Sequence, residues 1–372
     1  MRGAKLVAAS LLCAGAWAST SCAPSGFAVV SLVQSVRILA SSSDPAYAQP
    51  GQQVGVQVLA YDGRTTQPEP MKIYWLPFVC EDPPDDAYYA CFTQLAGDGG
   101  APDGGAASGG GDDGGPGLDL GALRPGVDLS PFLPVGTSYQ FQMPADVVTN
   151  HIDVPGSNPA HYGIAILFNV ACAGHLELVP SPSSGDNPQQ IPFGCFDANE
   201  NQLGPDDWVL GFTRVYAFEP DAGPDGGPLL NQNPVIASVD VQGQTLDVAL
   251  VPGTTQSYVT QAIQTPPCSG DCPSIPIGPN VPASSDEPNA QATTVNGGTQ
   301  NEEIWADFYT TFGSFAGDTS LLYDATKGSI GDAGTTDNQW KPPGDAGTGT
   351  IWIVVHDDRG GASWVTVPVN VQ

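Results

Sequence analysis

The last twenty residues of the chain carry the pattern that most constrains its fold. Between Ala362 and Val371, valine stands at every second position from Val365 onward. A period of two is typical of a β-strand with one buried face. The turn at residues 358–361 joins this strand to the apolar run 351–357, which predicts a hairpin. Burying four valines contributes roughly 6–12 kcal/mol before opposing terms are counted, so a second layer must cover this face, and the predicted architecture is a β-sandwich.

The same alternation recurs along most of the chain. The segment 162–172 is apolar on both faces, which predicts a central strand that is covered on two sides. No convincing helical pattern interrupts these runs, so the predicted fold class is all-β, and residues 273–300 are expected to be mostly loop. The predicted strands are 36–40, 54–60, 71–75, 138–143, 162–172, 208–218, 235–241, 246–250, 258–263 and 304–312, followed by the terminal hairpin.

Two polar stretches divide the chain, whose 372 residues suffice for about two domains. Residues 97–117 consist almost wholly of Gly, Asp, Ala, Pro and Ser. Because they have nothing to bury, we predict a disordered insertion there. A second spacer of Pro, Asp, Ala and Gly predicts a linker at 220–232. The predicted β-sandwich domains are therefore 33–219, which contains the insertion, and 233–372.

The charge balance excludes one class of partner. Only 10 Lys and Arg stand against 39 Asp and Glu, which gives a formal net charge of −29. Binding to a phosphate backbone depends on a basic patch that releases counterions, so we expect no nucleic-acid partner. Direct binding to anionic lipid headgroups is disfavoured for the same reason. Any contact with a membrane is expected through a lipid anchor alone.

The N-terminus predicts export. Residues 1–21 form a predicted signal peptide, in which Arg2 and Lys5 precede an apolar segment too short to span a bilayer. Cleavage after Ala18 would leave seven cysteines, whereas cleavage before Cys22 and acylation of this residue leave six. The segment Ser19-Thr-Ser-Cys22 resembles the cleavage box of bacterial lipoproteins, which implies lipidation at Cys22. A soluble secreted form is the alternative.

The remaining six cysteines fall into neighbouring pairs, and an even set in an exported protein is typical of disulfides. A zinc site at Cys268 and Cys272 would need two further ligands, and the four histidines show no paired spacing. We therefore expect no metal and no cofactor. The predicted disulfides are Cys80–Cys91, Cys172–Cys195 and Cys268–Cys272.

Two resemblances extend this interpretation. The run 351–371, with Asp357-Asp-x-Gly-Gly361 between two Val-rich strands, resembles the closing strands of PKD-type immunoglobulin-like domains and implies an immunoglobulin-like fold for both sandwiches. The signal peptide, the polar spacers and the turn at residues 47–51 are similar to those of uncharacterised exported lipoproteins of Gram-negative soil bacteria. That likeness implies an outer-membrane or cell-surface location, with a periplasmic or soluble secreted protein as the alternatives.

Three groups of acidic residues are weighed as sites. Oxygen ligands at Asp197, Asn199 and Asn201 follow the opening of a calcium loop, although Gln202 stands where the turn needs Gly. Acidic pairs at 206–207 and 357–358 lie near predicted strand ends, where a junction calcium could bind. For hydrolysis, a glycosidase needs two carboxylates held about 5–9 Å apart. The candidates for that pair are Glu302 and Glu303, which lie beside Trp305.

These residues favour a non-enzymatic lipoprotein of the cell envelope. We expect a structural or binding module that carries no catalytic residues and whose partner is an envelope protein or a glycan. Two alternatives from other classes stay open. One is a calcium-dependent adhesin or carbohydrate-binding protein, and the other is a secreted hydrolase.

We predict that mass spectrometry of the native protein, digested without reduction, finds an acyl chain on Cys22 and three disulfides between neighbouring cysteines. Lipidation is expected because it removes the unpaired thiol from the mature chain. A native N-terminal peptide that starts before Cys22, or a free thiol at Cys172 or Cys195, would contradict this prediction.

Overall fold

The computed structural model describes residues 30–92, 126–152, 161–179, 192–251, 256–293, 299–329 and 336–372. The predicted signal peptide, the proposed lipidation site Cys22 and the glycine-rich insertion lie outside these residues. The described part is mainly β, which confirms the predicted class at that level. None of its helices has the length and apolar character needed to cross a membrane.

The described residues of the first half include nine strands and the short helix α1 (Val147–Asn150). The strands are β1 (Val36–Asp44), β2 (Tyr47–Ala48), β3 (Gln53–Asp62), β4 (Lys72–Glu81), β5 (Ser138–Gln142), β6 (Gly163–Cys172), β7 (His175–Leu178), β8 (Phe193–Phe196) and β9 (Trp208–Ala217). They form a three-stranded sheet in the order β1-β3-β5, a four-stranded sheet in the order β2-β9-β6-β4, and a β7–β8 ladder.

Strand β6 is the centre of the first half. All ten of its residues are buried, as the apolar run on both faces predicted. One face packs with Trp75 against the valines Val54, Val56 and Val58 of β3, the face predicted for that strand. The other face packs on a second cluster, which includes Leu129 and both disulfides of this half. Since the indole nitrogen of Trp75 donates to the carbonyl of Gly136 at 2.9 Å, this ring is a satisfied core residue.

The structure describes fourteen strands in the second half, and twelve of them belong to one large sheet. They are β10 (Ser238–Val241), β11 (Gln244–Leu250), β12 (Ser257–Val259), β13 (Ile263–Thr265), β14 (Ile275–Asn280), β15 (Pro288–Thr293), β16 (Thr299–Asn301), β17 (Ile304–Thr310), β18 (Ser314–Phe315), β19 (Thr319–Asp324), β20 (Gly328–Ser329), β21 (Asn338–Lys341), β22 (Gly347–Asp357) and β23 (Ala362–Val371). The order is β18-β21-β14-β10-β11-β12-β23-β22-β17-β19-β20, with β13 on β23 and a separate β15–β16 pair.

The terminal hairpin is present as predicted, and its valines are buried. β22 and β23 are antiparallel from Gly347 opposite Val371 to His356 opposite Ala362. Val365, Val367, Val369 and Val371 all belong to one core cluster. The layer that covers them comes from the same sheet, which curls so that Trp340 of β21 and Ile277 of β14 join this cluster. One curled sheet thus supplies both layers.

The expectation that residues 273–300 are mostly loop was wrong. This region contains β14, β15 and part of β16, and β14 lies between β10 and β21 in the large sheet. Pro276 and Pro279 obscured the pattern, because proline is typically confined to edges and irregularities of sheets. Ile275 and Ile277 alternate with Pro276 and are buried. The alternation that is typical of a strand is therefore present in this segment, although prolines occupy two of its positions.

The structure pairs the six cysteines as Cys80–Cys91, Cys172–Cys195 and Cys268–Cys272, with Cα–Cα distances of 5.8, 5.9 and 5.8 Å. These separations lie within the usual range for a disulfide. Because the sulfurs of Cys268 and Cys272 form a disulfide, neither residue offers the thiolate that a zinc site needs. Three disulfides indicate an extracellular or otherwise oxidising compartment.

The outer face of the terminal hairpin packs on the first half of the chain. Trp352 lies with Val33 and Leu39 in one cluster, and its ring centroid is 4.7 Å from that of Tyr61. Trp364 packs likewise against Ala40. Residues Ser31–Gln372 accordingly form one compact unit. The division into two domains with a linker stays a prediction, although two residues of that linker, Leu229 and Asn231, are buried.

We predict that Trp352→Ala destabilises the whole unit by about 3–5 kcal/mol, because removing a buried aromatic ring leaves a cavity. Chemical denaturation monitored by fluorescence and circular dichroism should show one coincident transition for both proteins. Leu250→Ala is the matched control, since Leu250 is 68% exposed and such changes usually stay within about 0.5 kcal/mol. Two separate transitions, of which only one moves in the variant, would show that the halves unfold independently.

Candidate binding cleft

A cleft of about 760 Å³ lies between β9 on one side and the turn of the terminal hairpin on the other. Seven aromatic or imidazole rings line it, together with polar groups from both halves of the chain. The lining rings are those of Tyr47, Tyr162, Phe212, Tyr216, Phe218, Trp305 and His356. Cavities of this volume, with mostly apolar walls and a few polar groups, are typical of ligand sites.

Strand β9 builds the first wall through its period of two. Val215 and Ala217 lie in the core, so that Phe212, Arg214 and Tyr216 lie on the opposite face, toward the cleft. The guanidinium of Arg214 lies 5.0 Å from the centroid of the Phe212 ring. Arg214 itself is exposed. This wall therefore presents rings together with one accessible cation.

Further aromatic contacts hold this wall in place. The ring centroid of Tyr162 lies 5.6 Å from that of Tyr216, and Tyr47 lies 4.7 Å from Phe218. The Tyr162 hydroxyl donates to a carboxylate oxygen of Asp86 at 2.6 Å. Since every one of these rings has a packed neighbour, the wall is formed before any ligand arrives.

The second wall is built by two residues that face each other across β17 and β22. Trp305 is paired with His356, and their rings stack with centroids 5.4 Å apart and planes 20° apart. His356 Nε2 lies 3.3 Å from a carboxylate oxygen of Asp307. Burial would raise the pKa of Asp307, but hydrogen bonds from His356 and Thr319 outweigh it and lower this pKa. The imidazole is thereby held flat against the indole.

Arg359 closes one end of the cleft and is only 7% exposed. Its Nε and Nη2 donate to Glu302 at 2.9 and 2.7 Å, and Nη2 also donates to Glu287 at 2.6 Å. Nη1 donates to the carbonyl of Leu230 at 3.2 Å. The guanidinium carbon lies 5.8 Å from the centroid of the Tyr47 ring. One side chain thus joins the hairpin turn, β2 and the segment before β10.

Asp357 shapes the turn that carries Arg359. Its Oδ1 accepts the backbone N–H of Arg359 at 2.8 Å and that of Gly361 at 2.7 Å. Gly360, between them, has a φ of +96°, a conformation that glycine adopts without steric cost. Burial raises the pKa of Asp357, and the two backbone donors oppose this. Because its acceptor sites face the turn, Asp357 is a structural carboxylate.

Glu302 is fully buried behind Arg359 and does not line the cleft. Burial raises its pKa to about 7, although Arg359 acts in the opposite direction. Glu303 is exposed, and its N–H donates to Asp358 at 3.2 Å. The two glutamates are therefore separated by burial, and the structure does not bring them together as an acid and base at a shared surface.

Two of the other predicted calcium ligands, Asp197 and Asp207, are engaged in hydrogen bonds or an ion pair. Asp207 pairs with Arg64 at 2.8 Å. The carboxylate of Asp197 accepts the backbone N–H groups of Asn199 and Asn201 at 2.8 and 2.9 Å. These contacts close a turn.

Sequence reasoning found Trp305, Asp357 and Asp358 but missed the rest of the cleft. The ring-bearing residues 212, 216 and 218 alternate along β9 in the printed sequence, which is a signal that could have found one wall. Nothing local in the sequence indicates that this wall faces the hairpin turn, more than 130 residues later.

We predict that Arg359→Met destabilises the protein by about 3–5 kcal/mol near neutral pH, because buried carboxylates lose their counterion. Because the pKa of Glu302 is raised in the folded state, the folded protein binds more protons than the unfolded chain between roughly pH 4.3 and pH 7. Stability therefore falls as the pH rises through this window, and the deficit of the variant should shrink near pH 5. Urea denaturation of the protein and the variant, near neutral pH and near pH 5, measures this deficit in the free energy of unfolding.

Lys327→Met is the control, since this side chain is 77% exposed and lies 3.6 Å from Asp324. It should cost less than about 0.5 kcal/mol. A deficit for Arg359→Met that is equal at both pH values would contradict the protonation of Glu302.

Comparisons with known proteins assign neither a family nor a function. No protein-family model matches the sequence, and no curated protein matches it significantly. Among solved structures, fibronectin(III)-like modules of Clostridium thermocellum CbhA match at 11% identity, over 91% of this chain and 94% of that chain, with a TM-score of 0.16.

Two larger structures match in the same way. Native E. coli alpha-2-macroglobulin matches at 9% identity over 91% of this chain and 17% of its own, with a TM-score of 0.20. Dimeric latent PorU from Porphyromonas gingivalis matches at 12% identity over 92% of this chain and 24% of its own, with a TM-score of 0.19. These are distant likenesses to β-rich proteins, and scores this low do not establish a common fold.

Proposed function

We propose that this protein is a non-enzymatic binding module of the bacterial cell envelope, with immunoglobulin-like halves, and that it holds a neutral glycan in the aromatic cleft. The observation that carries the proposal is the meeting of rings from both halves around one opening. Tyr216 and Phe212 stand on one wall, and Trp305 with His356 on the other. Sugar rings have apolar C–H faces, which stack on aromatic surfaces of this kind.

The polar groups of the cleft suit hydroxyl-rich ligands. Arg214 and Asp358 are exposed at its edges, and they supply a donor fork and an acceptor respectively. A few convergent polar groups on an apolar wall orient a ligand and give it specificity. The formal net charge of −29 would repel acidic polysaccharides. A neutral glycan is therefore the class that the charge favours.

The arrangement of carboxylates supports binding over hydrolysis. Glycoside cleavage uses two carboxyl groups on either side of the scissile bond. Among the described residues that line the cleft, the carboxylates are Asp357 and Asp358. Asp357 holds its own turn through two backbone donors, which leaves Asp358 as the exposed carboxylate of the lining.

The disulfides and the resemblance to exported lipoproteins support the proposed location in the cell envelope. Three disulfides suit an oxidising compartment. The lipid anchor at Cys22 would attach the module to the membrane and leave the cleft free to meet envelope glycans. The calcium-dependent adhesin is the weaker candidate, because the predicted ligands Asp197, Asp207 and Asp357 are all engaged within the protein.

We predict that screening against a panel of neutral and acidic oligosaccharides finds a neutral ligand, whose affinity Trp305→Ala lowers about five- to thirtyfold. The reason is that this change removes a stacking surface worth about 1–2 kcal/mol. Titration calorimetry of the protein and the variant measures the difference. Chelator should leave binding unchanged if calcium takes no part.

Tyr258→Ala is the matched control, since this ring is 38% exposed on β12 and does not line the cleft. It should bind as the parent protein does. The proposal fails if no glycan binds, or if both variants lose affinity equally. Release of a reducing sugar during the titration would favour the hydrolase instead.

A further inference from the structure

Three side chains that can bind metal converge at the β7–β8 ladder. His175 and Glu177 are two residues apart on β7, so the period of the strand puts them on one face. Glu200 comes from the turn that follows β8. One imidazole nitrogen and one oxygen from each carboxylate all lie within 4.8 Å of one another. None of these residues lines the aromatic cleft.

Two of the spacings between these atoms are close to the edge of a coordination tetrahedron. His175 Nε2 lies 3.1 Å from Glu177 Oε1 and 3.5 Å from Glu200 Oε2. A tetrahedral zinc ion with bonds of about 2.0–2.2 Å separates its ligand atoms by about 3.3–3.6 Å. The distance to Glu200 lies within this range and the distance to Glu177 is slightly shorter, so an ion could enter with small side-chain movements.

The net negative charge around the imidazole favours the binding of a cation. Glu177 is 8% exposed, and Asp128 and Glu200 also act electrostatically on His175. Among the described residues, no Lys or Arg forms an ion pair with Glu177 or Glu200, and the sequence has neither residue type between positions 125 and 213. A protonated His175 would supply one positive charge against three carboxylates. Buried carboxylates are stable only when they are paired or bind a metal.

The turn after β8 holds Glu200 in position before any ion binds. Asp197 closes this turn by accepting backbone N–H groups through its side chain, and its carbonyl accepts the N–H of Glu200 at 3.0 Å. Glu200 itself has a φ of +63°, an unusual backbone conformation for this residue type. The loop predicted to bind calcium through Asp197 thus directs a different residue toward β7.

We propose that His175, Glu177 and Glu200 bind one divalent transition-metal ion of the zinc class. An imidazole nitrogen with two carboxylates suits zinc, whereas calcium and magnesium prefer sites made of oxygen alone. Three protein ligands leave the fourth tetrahedral position open to water. This site is independent of the glycan proposed for the aromatic cleft.

The test uses tag-free protein without bound metal, titrated with zinc by calorimetry and with cobalt by visible absorption. We expect one ion per chain and the strong visible bands of four-coordinate cobalt. Glu200→Gln should weaken zinc binding at least tenfold while keeping the fold, because this side chain is 71% exposed. His175→Ala should abolish the cobalt bands.

Two matched controls are His161→Ala and Glu219→Gln, both at exposed positions outside the cluster. Both should bind zinc as the parent protein does. The proposal is overturned if zinc does not bind, if Glu200→Gln and His175→Ala bind it unchanged, or if calcium binds equally well and survives His175→Ala. Several weak ions per chain, equally affected by all four changes, would indicate general attraction to an acidic surface and would also overturn it.

Discussion

The buried guanidinium of Arg359 is the interaction on which the rest of the structure depends. It balances Glu302 and Glu287, binds a backbone carbonyl before β10 and lies beside Tyr47 of β2. Removing an ion from water is costly unless its partners have good geometry and its remaining donors are used. Here several donors find acceptors, and these come from separate parts of the chain. The position of the hairpin turn against the segments that carry Leu230, Glu287 and Glu302 follows from that requirement.

Local patterns in the sequence predicted much of the fold. The valines of β3 and β23 and the doubly apolar run of β6 are buried as their periods indicate. The six cysteines are paired with their neighbours in the sequence. In each case the signal lies within a few residues of the element that it describes. The period of a strand indicates which of its faces is buried, but not which element packs on that face. The curled sheet was therefore not predicted.

The candidate sites depend on contacts over longer distances, and this is why they were mostly missed. The partners of Arg359 lie 57 to 129 residues away in the sequence, and one Arg among 39 acids gives no hint of which carboxylates it will meet. Trp305 was noticed for its neighbours Glu302 and Glu303, whereas the structure pairs it with His356. The His175–Glu177 pair was visible at a spacing of two, but the zinc hypothesis concerned Cys268, Cys272 and pairs of histidines.

The large sheet has a further consequence at its two ends. As far as the structure describes it, the sheet begins at β18 and finishes at β20, each of which has two residues. Unpaired N–H and C=O groups along a long border invite strands of other molecules to add on. Borders this short give an incoming strand few groups to bind. Strand addition at β18 and β20 is therefore disfavoured even where many copies of the protein lie side by side on a surface.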